Sequence, residues 1–213
     1  MAASEKLADL RRQLAEKFPS APRTVGRTLP TGIPSLDNAT GGLPLGAVTE
    51  IVCAAPSCGS HLLLEQLLAA TRASRLRVAL IDSSNSFDPS SFAVDLLAHL
   101  VWVRCTAATA LATADLLARD ANLGLVVLDL RRDAEAELRR TPATTWYRLQ
   151  RAVEPADLAL VVLTPRASVP SAQLRFVLHS SHTTAALDGE RPALATALAP
   201  TLQRQRLQTA LAG

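Results

Sequence analysis

Three observations predict an α/β fold for this 213-residue chain, a mostly parallel sheet flanked by helices. From Ala47 onward, apolar strand-like runs alternate with helical stretches. Those runs are nearly continuous in Val, Leu and Ile, as strands covered on both faces require. One strand–turn–helix unit, residues 47–73, then sets a tight turn where an α/β nucleotide-binding domain carries its phosphate loop. Hydrophobic residues make up 48% and charged residues 19%, a globular balance. The length suits one domain of ordinary size with a full core. We divide it into an N-terminal helix and linker (1–28), the α/β core (29–190) and a C-terminal tail (191–213).

The elements follow in order. Ser4 to Phe18 reads as an amphipathic helix, with Leu7, Leu10, Leu14 and Phe18 spaced three or four apart. Pro19 and Pro22 stop it, and Ser20 to Arg27 form a linker. The helix docks either on its own domain or on a neighbour. Strands are predicted at 47–53, 76–82, 100–105, 123–130, 158–164 and 174–179, and helices at 60–73, 90–98, 107–121 and 143–154. Thr141-Pro142 is a suitable N-cap and N1 pair for the last helix, which carries Trp146, Leu149 and Val153. Beyond Leu178 the pattern weakens to a hairpin-like stretch at 182–194. The tail from 202 to 213 reads as a frayed helix.

Several classes are excluded. No run of about eighteen apolar residues exists to span a membrane. The first eighteen residues, charged throughout, lack the apolar core of a signal peptide. The three cysteines cannot all pair and have no metal-ligand spacing. Cys53 and Cys105 fall in apolar strands and read as buried thiols of a reducing cytoplasm. Net charge is +3, although twenty of the twenty-two basic residues are Arg, leaving only Lys6 and Lys17. So small a charge permits nucleic-acid binding without arguing for it.

A working phosphate loop reads G-x-x-x-x-G-K-[ST]. Here the eight positions are Ala54, Ala55, Pro56, Ser57, Cys58, Gly59, Ser60 and His61. Ser60 stands where the Lys would reach the phosphates as a point charge. His61 stands where a hydroxyl would hold Mg²⁺, and imidazole is a poor ligand for that hard cation. Ala54 restricts a backbone position that Gly would free, and Pro56 removes an N–H donor.

The stretch 29–51 resembles the opening of the RecA/RadA recombinase core, TG…LD…GG-P-G…EI. Thr31-Gly32, Leu36-Asp37, Gly41-Gly42, Pro44, Gly46 and Glu50-Ile51 match in register. Ile81-Asp82 and Asp88-Pro89 fit that family's second block, and Asp129 stands where its Walker B aspartate ends a strand. The likeness covers about residues 29–180. The short length, the degraded loop and the LPTG…LD opening are similar to ImuA-type RecA homologues of bacterial translesion mutagenesis.

The resemblance implies a RecA-like, P-loop-type sheet and further losses. The family's catalytic glutamate position is Ser84 here, and its glutamine sensor position falls at Thr164-Pro165. Four elements of hydrolysis are thus replaced together, counting Ser60 and His61. One lost charge-stabilising group commonly costs about 10²-fold in rate, about 3 kcal/mol. We therefore expect no catalytic residue, no ATP hydrolysis, no metal and no required cofactor. Weak residual ATP/Mg contacts would fall to Gly59, Asp88 (a position that touches adenine in RecA) and Asp129. We read Asp129 itself as a polar strand end with no metal to hold.

Two loops carry DNA contact in RecA. The first corresponds to 130–148, where Arg131, Arg132, Arg139, Arg140 and Arg148 alternate with Asp133, Glu135 and Glu137. A salt-bridged, solvated face is the simpler reading of such a run. The second is short, 164–173, with Arg166 as its sole charge. Tyr147 offers a stacking surface, whereas Trp146, in helical spacing with Leu149, reads as core. His179 and His182 read as surface or sheet-edge residues.

The expected function is that of a non-hydrolysing RecA-like accessory protein in DNA repair and damage tolerance, of the SOS and translesion type. The resemblance implies contacts with RecA and with a translesion assembly of an ImuB-type protein and an error-prone C-family polymerase. It also implies a bacterial, cytoplasmic, nucleoid-associated location, with DNA reached directly or through partners. Candidate partner surfaces are Leu7, Leu10 and Leu14 on the N-terminal helix and Arg204 and Arg206 on the tail. Two alternatives stay open: a divergent ATP-binding, DNA-dependent ATPase or recombinase, and a DNA-binding module without nucleotide chemistry.

Overall fold

The computed structural model describes residues 23–179, 183, 185 and 188–209. The expected Ser4–Phe18 helix, with Leu7, Leu10 and Leu14, lies outside them, as does His182. In chain order, β1 (Arg23–Val25) and β2 (Thr28–Leu29) lead to α1 (Pro34–Thr40), β3 (Leu43–Pro44) and β4 (Ala47–Cys53). Next come α2 (Ser60–Ala73), β5 (Arg77–Asp82), a 3-10 turn (Pro89–Ser91), α3 (Val94–Leu97), β6 (Leu100–Arg104), α4 (Ala107–Leu117) and β7 (Leu123–Asp129). Then α5 (Glu135–Arg140), α6 (Ala143–Val153), β8 (Ala159–Thr164), β9 (Leu174–Leu178), α7 (Arg191–Thr196), β10 (Thr201–Gln205) and β11 (Leu207–Thr209) complete the order.

Seven strands form one sheet in the order β10-β9-β4-β8-β7-β5-β6. Every neighbouring pair is parallel except β10 with β9. The pleat explains the continuous apolar runs, because successive side chains serve opposite faces. On β7, Leu125 and Val127 join a core with the leucines of α2, and Val126 and Leu128 join a second core with α4 and α6. β8 divides likewise, Val161 and Leu163 against Leu160 and Val162. Ala110 and Ala114, both fully buried, let α4 lie close on the sheet. The register aligns Asp82 with Asp129, Asp129 with Leu163 and Val52 with Thr164. The carboxyl ends of β4, β5, β7 and β8 therefore meet on one edge, where open α/β sheets hold ligands. Among the described residues no helix is long and apolar enough to cross a membrane.

The specific part of the sequence pattern proves to be structural. Asp37 accepts the Thr31 N–H (2.9 Å), the Thr31 hydroxyl (2.8 Å) and the Gly32 N–H (3.0 Å), which fixes the approach to α1. Gly41 ends α1 in the left-handed conformation (φ 73°) and returns its N–H to the Asp37 carbonyl (2.7 Å). At Gly42 (φ 110°) a Cβ would lie 2.4 Å from the Leu29 carbonyl oxygen, so backbone occupies the space of a side chain.

Other expectations are corrected. The 90–98 helix is split into the 3-10 turn and the one-turn α3, because Phe92 leaves the helix (φ −122°, ψ 150°) to bury its ring beside Phe87. The helix expected to run to 121 stops at Leu117. The N-cap falls one residue later than expected: Thr141 is the C-cap of α5, and Pro142 is the N-cap of α6. The linker contains β1, which pairs with β11. Part of the hairpin-like stretch is α7, with Ala195 buried against the α2 side of the sheet. The expected frayed tail helix is instead β10, an edge strand on β9, whose residues alternate between half-buried and exposed. Cys58, in the turn, is the buried thiol, whereas Cys53 and Cys105 are only half-buried, one at a strand end and one beyond the edge strand β6.

Candidate functional site

The loop makes a tight turn from strand to helix. β4 ends at Cys53, the chain turns through Ser57 (φ 55°), and Gly59 (φ 83°) is the N-cap of α2. Over the turn lies a cavity of about 1050 Å³ lined by residues 53–62 together with Arg131, Arg132, Glu135, Pro165, Arg166 and Arg191 among others.

At its floor lies Arg131, which was expected on an exposed DNA-facing loop. Two residues past the end of β7, it folds back on its own strand. Nε donates to Asp129 Oδ1 at 2.9 Å and Nη2 to Oδ2 at 2.5 Å, while the Arg131 backbone N–H reaches Oδ1 at 3.1 Å. Its Nη1 donates to the Ser60 hydroxyl. The Asp129 side chain is only 3% exposed and that of Arg131 15%. Burial works against the guanidinium charge, but the bond to Asp129 and its field outweigh burial and raise the pKa. The cation missing from the loop thus arrives from β7 and sits against the residue in the Lys position.

These residues do not fit a nucleotide with its metal. Both Asp129 oxygens receive Arg131 donors, leaving the carboxylate engaged on each side. Burial, then the Arg131 charge, hold the His61 imidazole below its usual value, so it is neutral near neutral pH. Its ring tilts toward Phe92, 6.2 Å between centroids. Among the described residues no group of three or more His, Cys, Asp or Glu could hold a metal ion. Gly59 lines the cavity, whereas Asp88 does not. Asp88 bonds the Ser90 N–H (3.0 Å) and the Ser90 and Ser91 hydroxyls (2.7 and 2.9 Å), capping the 3-10 turn.

In the second block Asp82 is fully buried and structural. It accepts N–H groups from Ser84 (3.3 Å), Ser86 (3.0 Å) and Phe87 (3.0 Å) and the Trp102 indole N–H (3.3 Å). Burial pushes this carboxyl up, but the donors together hold it below the usual carboxylate value. A depressed folded pKa contributes stability above the unfolded value, about 4, and loses it as pH falls through the folded value. Wild type is expected to exceed Asp82→Asn in urea midpoint at about pH 7, and the gap to close toward about pH 2. A gap unchanged across that range contradicts the assignment.

The arginine-rich stretch is largely paired. Glu135 takes Arg166 at 2.7 Å and Arg139 at 3.7 Å, and Arg148 meets Asp115 at 3.5 Å. Arg132 and Arg166 stand exposed on the cavity rim, and Arg140 is exposed on α5. Arg191 on α7 is bound to Glu65 at 2.6 Å. Arg204 and Arg206 both donate to the Pro170 carbonyl, at 3.3 and 3.1 Å, beside the shortened second loop. Trp146 is buried, Tyr147 exposed and His179 exposed.

That second loop is held by a feature sequence reasoning did not pick out. Glu50 is fully buried in β4, and its Oε1 accepts the Thr164 hydroxyl (3.0 Å) and the N–H groups of Ser168 (2.6 Å) and Val169 (3.1 Å). Its Oε2 meets Arg175 Nε at 2.5 Å, and Arg175 Nη2 donates to the Val169 carbonyl at 3.0 Å.

The fold has a counterpart among known structures. A crystal structure of the RadB recombinase superposes with a TM-score of 0.53 at 17% identity, covering 70% of this chain and 82% of that one. The fold is RecA-like. Over 132 residues the chain is 35% identical to Protein RecA of Clavibacter michiganensis subsp. michiganensis, covering 58% of this chain and 36% of that protein. The RecA of Leifsonia xyli subsp. xyli is 34% identical over 132 residues, with 58% and 37% covered. The chain thus spans about a third of the length of the curated relatives it matches. No protein-family model matches it. Within this RecA-like frame, the contacts of Arg131 with Asp129 and Ser60 and the Glu50–Arg175 pair are the features that sequence reasoning missed.

Proposed function

We propose that this RecA-like chain does not hydrolyse ATP and serves as an accessory factor in bacterial DNA repair and damage tolerance. It acts through protein–protein contacts with RecA and with a translesion assembly, an ImuB-type protein and an error-prone C-family polymerase, in the cytoplasm at the nucleoid. One observation carries the reading: Arg131 binds Asp129 on both oxygens and donates to Ser60, so a side chain of the protein itself bridges the two places that would hold metal and phosphate. A frame kept while its reactive positions are internally neutralised suits a protein whose surfaces do the work. The ImuA-like LPTG…LD opening supports the narrower assignment.

The test is affinity purification of the tagged full chain from DNA-damaged cells. RecA or the polymerase assembly is expected among the recovered proteins, and recovery of neither would contradict the reading. One observation favours a second reading, a divergent ATPase completed by a partner: the cavity over the loop remains, with Arg132 on its rim. That reading requires ATP turnover, with single-stranded DNA or a partner, that disappears in Asp129→Ala.

A further inference from the structure

The last strand of the sheet leaves one edge open and sets two like charges beside it. β10 lies at the end of the sheet order, and among the described residues its strand neighbour is β9 alone. The Arg206 N–H bonds the Gln173 carbonyl at 2.8 Å, and Arg204 lies opposite Arg175 in register. Backbone direction alternates along an antiparallel pair, so the N–H and C=O of Gln205, between the two arginines, turn away from β9. Gln205 is exposed. The side chains of Arg204 and Arg206 meanwhile converge on one acceptor, the Pro170 carbonyl, at 3.3 and 3.1 Å. Sharing that oxygen places the two guanidinium groups side by side, and among the described residues neither has a carboxylate partner. Burial, then the charges of Arg175 and Arg206, hold Arg204 below the usual arginine value, as crowded like charges do. The Glu50 carboxylate acts against them but is bound to Arg175 at 2.5 Å. Next to the two charges stands an aromatic ring. The Ser171 hydroxyl donates to the Trp146 carbonyl at 2.9 Å, fastening the loop that carries Pro170 to α6 beside Tyr147, which is 46% exposed. Tyr and Arg are enriched among the residues that carry the binding energy of protein interfaces.

We propose that the open edge of β10, with Arg204, Arg206 and Tyr147, receives an extended acidic segment of a partner protein, added as a further strand of the sheet. The inference rests on the accessory role proposed above and states what kind of segment the partner offers. Gln205 exchanges backbone hydrogen bonds with that segment. Carboxylates two residues apart on the segment share one face and meet the two guanidinium groups in charge-assisted bonds. Outward backbone groups favour a peptide over nucleic acid, whose backbone carries no N–H to match them. Two copies of this chain meeting at this edge would crowd four guanidinium groups together, so the charge selects against self-pairing.

An eight-residue peptide of alternating Glu and Thr, titrated into the isotope-labelled full chain and followed by NMR, tests this. Saturable shifts are expected at the Gln205 amide and at the Arg204 and Arg206 Nε resonances. Replacing every Glu of the peptide by Gln is expected to weaken binding by about tenfold or more, as is Arg204→Gln with Arg206→Gln. Gln205→Pro, tolerated on an edge strand whose N–H points outward, is expected to weaken it too. Arg75→Gln, at an exposed cation just past α2, is expected to leave binding unchanged. Three outcomes overturn the proposal: no saturable shift up to roughly 1 mM peptide, equal binding of the Gln peptide, and an equal loss in Arg75→Gln. An oligothymidine of the same charge that moves these resonances at lower concentration than the peptide also overturns it and assigns the patch to nucleic acid. Melting curves establish that each variant is folded, and the comparison of the two peptides needs no variant. The titration uses no partner from the cell, so its failure leaves the affinity purification above standing, and the reverse holds as well.

Discussion

Arg175→Met is expected to destabilise the protein by about 3–5 kcal/mol, the cost of leaving a buried charge without its partner. Glu50 and Arg175 lie directly opposite on adjacent parallel strands, β4 and β9. The Glu50 side chain is 0% exposed and that of Arg175 10%, so water cannot replace the lost ion. Removing Arg175 also strips the Val169 carbonyl of a donor and loosens the loop that carries Pro165 and Arg166 to the cavity. At about 2–4 °C per kcal/mol for a chain of this size, the melting temperature falls by roughly 10 °C. Pairing the change with Glu50→Leu is expected to recover most of the loss, because a buried ion pair is itself worth little against apolar packing. Thermal unfolding of the single and double variants decides the matter. A single variant within about 1 kcal/mol of wild type would contradict the assignment.

Arg131→Met is expected to cost about 2–4 kcal/mol, somewhat less because the cavity gives its site partial access to water. Asp129 then keeps a buried carboxylate with its two guanidinium bonds gone. Asp129→Asn with Arg131→Met is expected to restore much of the stability, giving a coupling of about 1.5 kcal/mol or more in a double-mutant cycle. Arg131→Lys keeps the charge but not the two-pronged geometry and is expected to fall between. Additive single changes would mean that the two side chains act apart. On the non-hydrolysing reading proposed above, none of these variants is expected to turn over ATP, since the Lys, hydroxyl, Glu and Gln positions are occupied by Ser60, His61, Ser84 and Thr164-Pro165.

The sheet was legible because burial on both faces leaves an unmistakable mark. LGLVVLD became β7 with every residue buried, and the helix expected at 60–73 has those bounds in the structure. Elements with mixed polarity were harder. Leu202 and Arg204 carry a period of two over only five residues, and their Gln and Arg neighbours suit a helix as readily. The site was legible as a list of substitutions but not as a geometry. Arg131 was taken with its exposed neighbours because nothing local records that Ser60, 71 residues away, sits within reach. The spacing Asp129-x-Arg131 was the available hint, since two residues past a strand end allow a side chain to fold back on it. Glu50 and Arg175 left a clearer one: each is the sole charge in an otherwise apolar strand, and a buried charge requires a partner.

The central claim is that an internal ion pair occupies the place of metal and phosphate. Calorimetric titration of the full chain with a non-hydrolysable ATP analogue and Mg²⁺ tests it most directly. The account predicts no saturable binding up to roughly 1 mM analogue. Saturable, Mg²⁺-dependent binding in the micromolar range that is lost in Asp129→Asn would contradict it.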